Sequence, residues 1–223
     1  MKDSGKERDG DSVIREFMNS EEPAICFARD ILWVMAVVSG IALALFLVSG
    51  TWPAVVAIES GSMTPNMNEN DLVFVVAQDR FGELTTWAEG QNISYAPFGT
   101  HPDMQGNMPY GDVIIYQPNG ESSVHPIIHR ALGWYEGSPH AGYITKGDNN
   151  PVIDQRTGFN SIGQIEPVKK EWIVGKALFS IPFVGYFPLH IIEFAIIVIL
   201  LMFAHEYIMK RRNKNKDTKN TKK

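Results

Sequence analysis

One serine in this chain stands where a hydroxyl could be displayed for chemistry. Ser62 lies in Glu59-Ser60-Gly61-Ser62-Met63-Thr64-Pro65, where Gly61 frees the backbone before it and Pro65 stiffens the backbone after it, the pattern of a tight turn. Taken alone, such a turn is an ordinary loop. A serine hydroxyl is a weak nucleophile until a neighbouring base takes its proton. Histidine does this at neutral pH, and a carboxylate beyond it fixes the tautomer and stabilises the imidazolium. The downstream chain offers both. His129 sits in a β-like apolar run, Ile127-Ile128-His129-Arg130-Ala131-Leu132, and His125 lies four residues earlier, on the same face if the strand continues through Pro126. Of the other histidines, His101 and His140 fall in proline-containing loops that read as surface, and His190 and His205 sit at the ends of an apolar block. Two acids follow in Lys146-Gly147-Asp148-Asn149-Asn150-Pro151-Val152-Ile153-Asp154. Singly, either could serve an Asx turn that satisfies its own backbone. A zinc site built from His125, His129 and an aspartate lacks any HExxH or CxxC spacing, so no metal or other cofactor is expected.

The elements that must position these residues are framed by two apolar blocks. Residues 31–48 carry no charge over 18 positions, enough at helical rise to cross about 27 Å of hydrocarbon. We expect a transmembrane helix over 31–50. The 30 polar residues ahead of it are long for a signal-peptide n-region, and no small-x-small cleavage pattern follows closely. A second block spans 187–204 and is expected to be a second transmembrane helix. The segment after it, 205–223, reads as a cytoplasmic tail, because residues 210–223 hold eight basic side chains against one acidic. Two spans place both termini, including the segment 1–30, in the cytoplasm. The protein is then a multi-pass membrane protein whose domain over 51–178 lies outside.

That outer domain reads as mainly β. Short apolar runs at 71–77, 112–117, 124–132, 143–146 and 172–179 are separated by Gly, Pro and Asn turns. Residues 81–110 follow neither helical nor strand periodicity and read as an insertion, with a glycosylation sequon at Asn92-Ile93-Ser94. The single cysteine, Cys26, allows no internal disulfide. Residues 31–209 hold sixteen acidic against seven basic side chains, which argues against a nucleic-acid partner, since phosphate binding needs a basic face. Ser62 lies 12 residues past Gly50, so even an extended chain carries it no more than about 40 Å from the bilayer.

At these residues the chain resembles the type I signal peptidases, in the archaeal and endoplasmic-reticulum branch that uses His where the bacterial branch uses Lys. The resemblance rests on four ordered boxes: SGSMTP at 60–65, GDVIIYQ at 111–117, IIHR at 127–130 and KGDNNPVID at 146–154. It implies a signal-peptidase-like β fold and a serine endopeptidase that cleaves signal peptides from exported preproteins on the outer side of the cell or endoplasmic-reticulum membrane. By the same resemblance Ser62 is the nucleophile, and Ser60 with the Ser62 N–H forms the oxyanion site. His129 is the general base, with His125 its replacement if His129 is structural. Asp154 is the orienting acid, with Asp148 as a supporting or alternative position. The implied partners are signal peptides, the lipid bilayer and the export translocon. Shallow apolar pockets for small side chains are expected from strand residues such as Leu72–Val76. The stretch 81–110 departs from the family pattern by widening the gap between the serine and histidine boxes. A catalytically silent subunit of an export complex and a processing peptidase of the repressor type are the rival readings, and the two spans argue against the second.

Overall fold

The computed structural model describes residues 15–159 and 161–220. Of the N-terminal segment 1–30 the first 14 residues, and of the basic tail the last three, lie outside the described residues. The chain divides into two compact units, residues 1–48 and 49–223. Helix α1 runs over Pro23–Ser49, so it begins well before the expected Ile31. Proline is favourable at its first position, where the N–H it lacks would have no intrahelical partner. None of its apolar window is buried, and the helix is long and apolar enough to cross a membrane. Trp33 is 69% and Leu43 58% exposed, as suits side chains meeting lipid rather than a protein core.

The second unit is built on one antiparallel sheet of six strands, in the order β1-β2-β8-β3-β4-β5. The strands are β1 (Val55–Ala57), β2 (Leu72–Val76), β3 (Val113–Tyr116), β4 (Ile127–Tyr135), β5 (Gly142–Lys146) and β8 (Ile173–Ile181). A separate two-stranded hairpin pairs β6 (Gly158–Phe159) with β7 (Gly163–Gln164). Every strand expected from an apolar run is present, while β1, β6 and β7 are too short to leave a periodic signal. Strand β3 reads Val-Ile-Ile-Tyr without alternation because both of its faces are covered, and all four residues are 0% exposed. On one side Val113 and Ile115 join Ile58, Met63, Met67, Val73, Val75 and Ala177. On the other Ile114 and Tyr116 join Ala131, Tyr143 and Val168. Burying each of the Val, Ile and Met side chains among them stabilises the fold by about 1.5–3 kcal/mol.

The 81–110 stretch contains one seven-residue helix, α2 (Trp87–Ile93), and otherwise irregular chain. The helix starts at a capping box in which the Thr86 side chain accepts from the Glu89 N–H and Glu89 reaches back to the Thr86 N–H. The stretch is tied to the sheet by Asp112, which accepts from the Thr85 N–H at 2.9 Å and the Tyr95 hydroxyl at 2.9 Å. Burial, with Asp112 as the neighbouring charge, pushes the Tyr95 hydroxyl up to about 12.

The second apolar block does not form one uninterrupted span. A short helix α3 (Tyr186–Leu189) ends at His190, whose backbone leaves the helical region at φ −116° and ψ 30°. Helix α4 then runs over Ile191–Asn220, carrying the basic tail as its continuation. Its contiguous apolar part, Ile191–His205, is shorter than a membrane crossing requires. Among the described residues there is thus a sheet-rich domain with one membrane-length apolar helix ahead of it in the chain.

Candidate active site

The Ser62 turn owes its shape to its anchors. Ser60 is extended, Gly61–Met63 form one 3-10 turn, and the Thr64 N–H and hydroxyl both donate to the Gly61 carbonyl, at 3.2 and 2.8 Å. Met63 and Met67, 1% and 0% exposed, pin the turn into the core on either side of Pro65. The Ser62 hydroxyl is left half-buried, with the exposed Ser60 hydroxyl 3.3 Å away.

Strand β4 supplies the imidazole. His129 pairs with Ile114 across the sheet and is 7% exposed. Its Nε2 lies 2.9 Å from Ser62 Oγ, and its Nδ1 lies 2.7 Å from Asp154 Oδ2. Asp154 opens the 3-10 turn Asp154–Arg156, held there by the Thr157 N–H and hydroxyl donating back to its carbonyl at 2.8 and 2.7 Å. The same carboxylate oxygen accepts from the Thr145 hydroxyl at 2.6 Å and the Tyr116 hydroxyl at 2.9 Å. Burial pushes the Asp154 carboxyl up, but the hydrogen bond and charge of His129, helped by the two hydroxyls, outweigh it and hold the pKa below the ordinary carboxylate value. The Tyr116 hydroxyl is raised well above its usual range by burial and by the Asp154 charge, so it stays a donor. With Nδ1–H donated to Asp154, Nε2 carries the lone pair that can accept the Ser62 proton.

Asp148 and Asp154 go to different partners. Successive strand side chains leave on opposite faces, and beside His129 the Arg130 guanidinium binds Asp148 through two bonds, Nε to Oδ1 at 2.9 Å and the terminal nitrogen to Oδ2 at 2.8 Å. Asn66 Nδ2 donates to the same Oδ2 at 2.9 Å. Arg130 also donates to the Pro97 and Gly111 carbonyls, at 3.0 and 2.6 Å. Asp148 is 2% and Arg130 1% exposed, so this is a buried brace beside the site. His125 lies outside β4, which begins at Ile127, because Pro126 has no N–H for the ladder. Its side chain is exposed and meets Glu59 at 3.2 Å.

The relay opens into a cavity of about 660 Å³. Val56, Ile58, Met63, Ile115 and Ile128 give it apolar walls, and Ser60, Ser62, His129 and Asp154 lie along it. The expected pocket residues Leu72–Val76 do not line it. Val73, Val75 and Val76 are fully buried and Phe74 nearly so, stacked on Phe179 with ring centroids 5.2 Å apart, so this strand fills the core instead.

Several residues that shape the site were given no role of their own in the sequence reading. Thr145 and Tyr116 hold Asp154. Asn149 clamps the serine turn, its N–H donating to the Ser62 carbonyl at 2.9 Å and its side chain to the Gly61 carbonyl at 3.1 Å. Gly147 matters for what it lacks. A Cβ there would lie 2.5 Å from the Ser62 carbonyl oxygen and 2.8 Å from His129 Nε2. Gly147→Ala therefore pushes the two reacting groups apart, and kcat is expected to fall by at least about tenfold, since an ångström of misplacement costs up to about a hundredfold. Steady-state kinetics on a peptide substrate, beside a thermal melt, measure this.

No family model matches the chain. Among curated proteins it is 30% identical over 157 residues to the signal peptidase complex catalytic subunit SEC11 of Schizophyllum commune, covering 63% of this chain and 65% of that one. It is 29% identical over 132 residues to the same subunit of Sclerotinia sclerotiorum, covering 59% and 60%. With that of Candida albicans it shares 26% over 149 residues, covering 67% and 72%. The chain thus spans about 60 to 65% of the length of the first two of these relatives. Each of these relatives carries the name of a signal peptidase complex catalytic subunit, so signal peptidases of the endoplasmic-reticulum kind are what the chain is similar to.

Proposed function

We propose that the protein is a membrane-bound serine endopeptidase that removes signal peptides from exported preproteins on the outer side of the membrane. The observation that carries this reading is the relay from Ser62 Oγ through His129 to Asp154, with contacts of 2.9 and 2.7 Å, opening on an apolar cavity. Ser62 attacks the carbonyl of the residue before the scissile bond while His129 Nε2 takes its proton. Asp154 stabilises the imidazolium, which then protonates the leaving amine. A water molecule repeats the sequence on the acyl-enzyme and frees Ser62. Ser60, 3.3 Å from the nucleophile, supplies with the Ser62 N–H the oxyanion donors, each worth about 3 to 4 kcal/mol in the transition state. The walls formed by Met63, Ile115 and Ile128 suit small side chains beside the scissile bond. Asp148 supports the site through Arg130. The experiment that tests the assignment is cleavage of a model preprotein by wild type and Ser62→Ala.

Helix α1 anchors the domain and confines Ser62 to the depth at which a membrane-held signal peptide presents its extended cleavage segment, which makes the encounter local. The apolar block 187–204 crosses as the second span, with α3 and the start of α4 together supplying the length that Ile191–His205 alone lacks, and the basic tail lies on the cytoplasmic side. Further subunits of a signal peptidase complex and the translocon are the expected company. This topology makes the sequon useful. Asn92 is exposed at the end of α2, and Ile93 beside it is 69% exposed. In microsomes the full chain should gain a glycan at Asn92, seen as a mobility shift that endoglycosidase and Asn92→Gln both abolish. An unshifted chain whose domain is digested by protease added to the cytoplasmic side would reverse the orientation.

A further inference from the structure

Residues 100–107, the end of the 81–110 stretch, bond to both turns that meet at Ser62. Toward the serine turn, Asn66 is gripped by this segment: its Oδ1 accepts from the His101 N–H at 2.8 Å and the Thr100 hydroxyl at 3.2 Å, and its Nδ2 donates to the His101 carbonyl at 3.0 Å. Toward the turn after β5, the Met104 N–H donates to the Asp148 carbonyl at 2.8 Å and Gln105 Nε2 to the Asn150 carbonyl at 3.3 Å. Lys146 Nζ meets Asp103 Oδ2 at 3.1 Å and also bonds Gln105 Oε1. The Lys146 and Asp103 side chains are only 12% and 11% exposed, which sets this pair apart from a solvated surface bridge. Asp103 is itself preorganised, its other oxygen accepting the Gln105 and Asn107 N–H groups at 2.9 and 2.8 Å.

The turn so held, residues 146–150, is the one that carries Gly147 against the Ser62 carbonyl and His129 Nε2, and Asn149 onto the Ser62 and Gly61 carbonyls. We infer that the 100–107 segment is a clamp that sets the spacing of Ser62 and His129, with Asp103 and Asn66 as its positioning residues. The inference rests on the serine-peptidase reading for its kinetic consequence, and on the hydrogen bonds alone for its structural one. Neither residue touches the reacting atoms. Each acts through the 146–150 turn or the serine turn, whose relative placement decides whether Oγ and Nε2 meet within hydrogen-bond reach.

The test compares full-chain wild type, Ser62→Ala, Asp103→Asn, Asp103→Glu and Asn66→Ala in detergent micelles. In Asp103→Asn and Asn66→Ala, kcat on a model preprotein should fall about ten- to a hundredfold with KM within about twofold, the signature of lost orientation rather than lost binding. The rate of Ser62 labelling by an alkyl fluorophosphonate should fall in parallel while the final labelled fraction stays complete, and Asp103→Glu should recover most of both. The Asn149 N–H should lose protection from hydrogen exchange in Asp103→Asn, a readout that needs no activity. Unchanged kcat in folded Asp103→Asn and Asn66→Ala, a reduced labelled fraction at normal rate, or full Asn149 protection overturns the clamp. Equal cleavage by wild type and Ser62→Ala would instead overturn the serine reading, and Asn149 exchange would still decide the clamp.

Discussion

Ser62→Ala is expected to lower kcat for preprotein cleavage by about five to six orders of magnitude, with KM little changed, because the proposed mechanism loses the hydroxyl that would form the acyl-enzyme. His129→Ala should cost about as much, since the imidazole is useful only with a nucleophile to deprotonate. The double variant should then be no worse than either single one, the non-additivity expected of residues that act as a unit. Stability should barely move for Ser62→Ala. Among the described residues the Ser62 hydroxyl bonds only His129 and the exposed Ser60, a loss of about 1 kcal/mol or less. Parallel measurement of cleavage and thermal unfolding checks both halves. Activity within tenfold of wild type in a folded Ser62→Ala would remove the nucleophile assignment, and additive losses in the double variant would separate His129 from Ser62.

How far such a site can be read from the chain depends on the kind of information each residue carries. The strands were legible because burial imposes runs of β-branched residues, as in Val113–Tyr116, and because Gly, Pro and Asn punctuate them. The helix that the Thr86-Trp87-Ala88-Glu89 capping box starts is only seven residues long, too short to show a helical period, so 81–110 read as irregular. Ser62 and His129 stood out by residue type, and their meeting required the sheet to bring together positions 67 apart. The division of labour between Asp148 and Asp154 was not legible from residue type and spacing, and only the family resemblance ranked Asp154 first. Both acids flank one Asn-Asn-Pro turn, and what separates them is the partner each reaches, Arg130 for one and His129 for the other. Those two residues are adjacent in the chain, so the distinction lives in strand pleat rather than in composition. Gly147 was invisible for a related reason: its importance is the absence of an atom against backbone contributed by Ser62. The pocket expected at Leu72–Val76 failed because a five-residue apolar run signals burial but not whether it faces a cavity or the packed core.

That division makes the two aspartates separable by experiment. In Asp154→Asn the amide oxygen can still accept where His129, Thr145 and Tyr116 converge, but it carries no charge to stabilise the imidazolium that forms as Ser62 gives up its proton. A fall in kcat of about four orders of magnitude is expected from losing the acid of such a relay. The variant should also change the acid limb of stability. The Asp154 carboxyl is held below its ordinary value of 3.8, so its ionised form stabilises the fold above that value, and this contribution is lost as pH falls through the lowered one. Asp154→Asn should accordingly show a flatter stability profile in that acid window. Asp148→Asn behaves in the opposite way. It strips the charge facing an Arg130 side chain that is 1% exposed, and an uncompensated buried guanidinium costs about 3 kcal/mol or more. The expected result is a marked drop in melting temperature, with the surviving folded molecules cleaving at a rate far closer to wild type than those of Asp154→Asn. Titrating active sites with a fluorophosphonate separates the two, because Asp148→Asn reduces the number of competent molecules and Asp154→Asn reduces the turnover of each. If Asp148→Asn instead lowers turnover per labelled site by several orders of magnitude while Asp154→Asn does not, the orienting acid is Asp148 and the relay drawn through Asp154 is wrong.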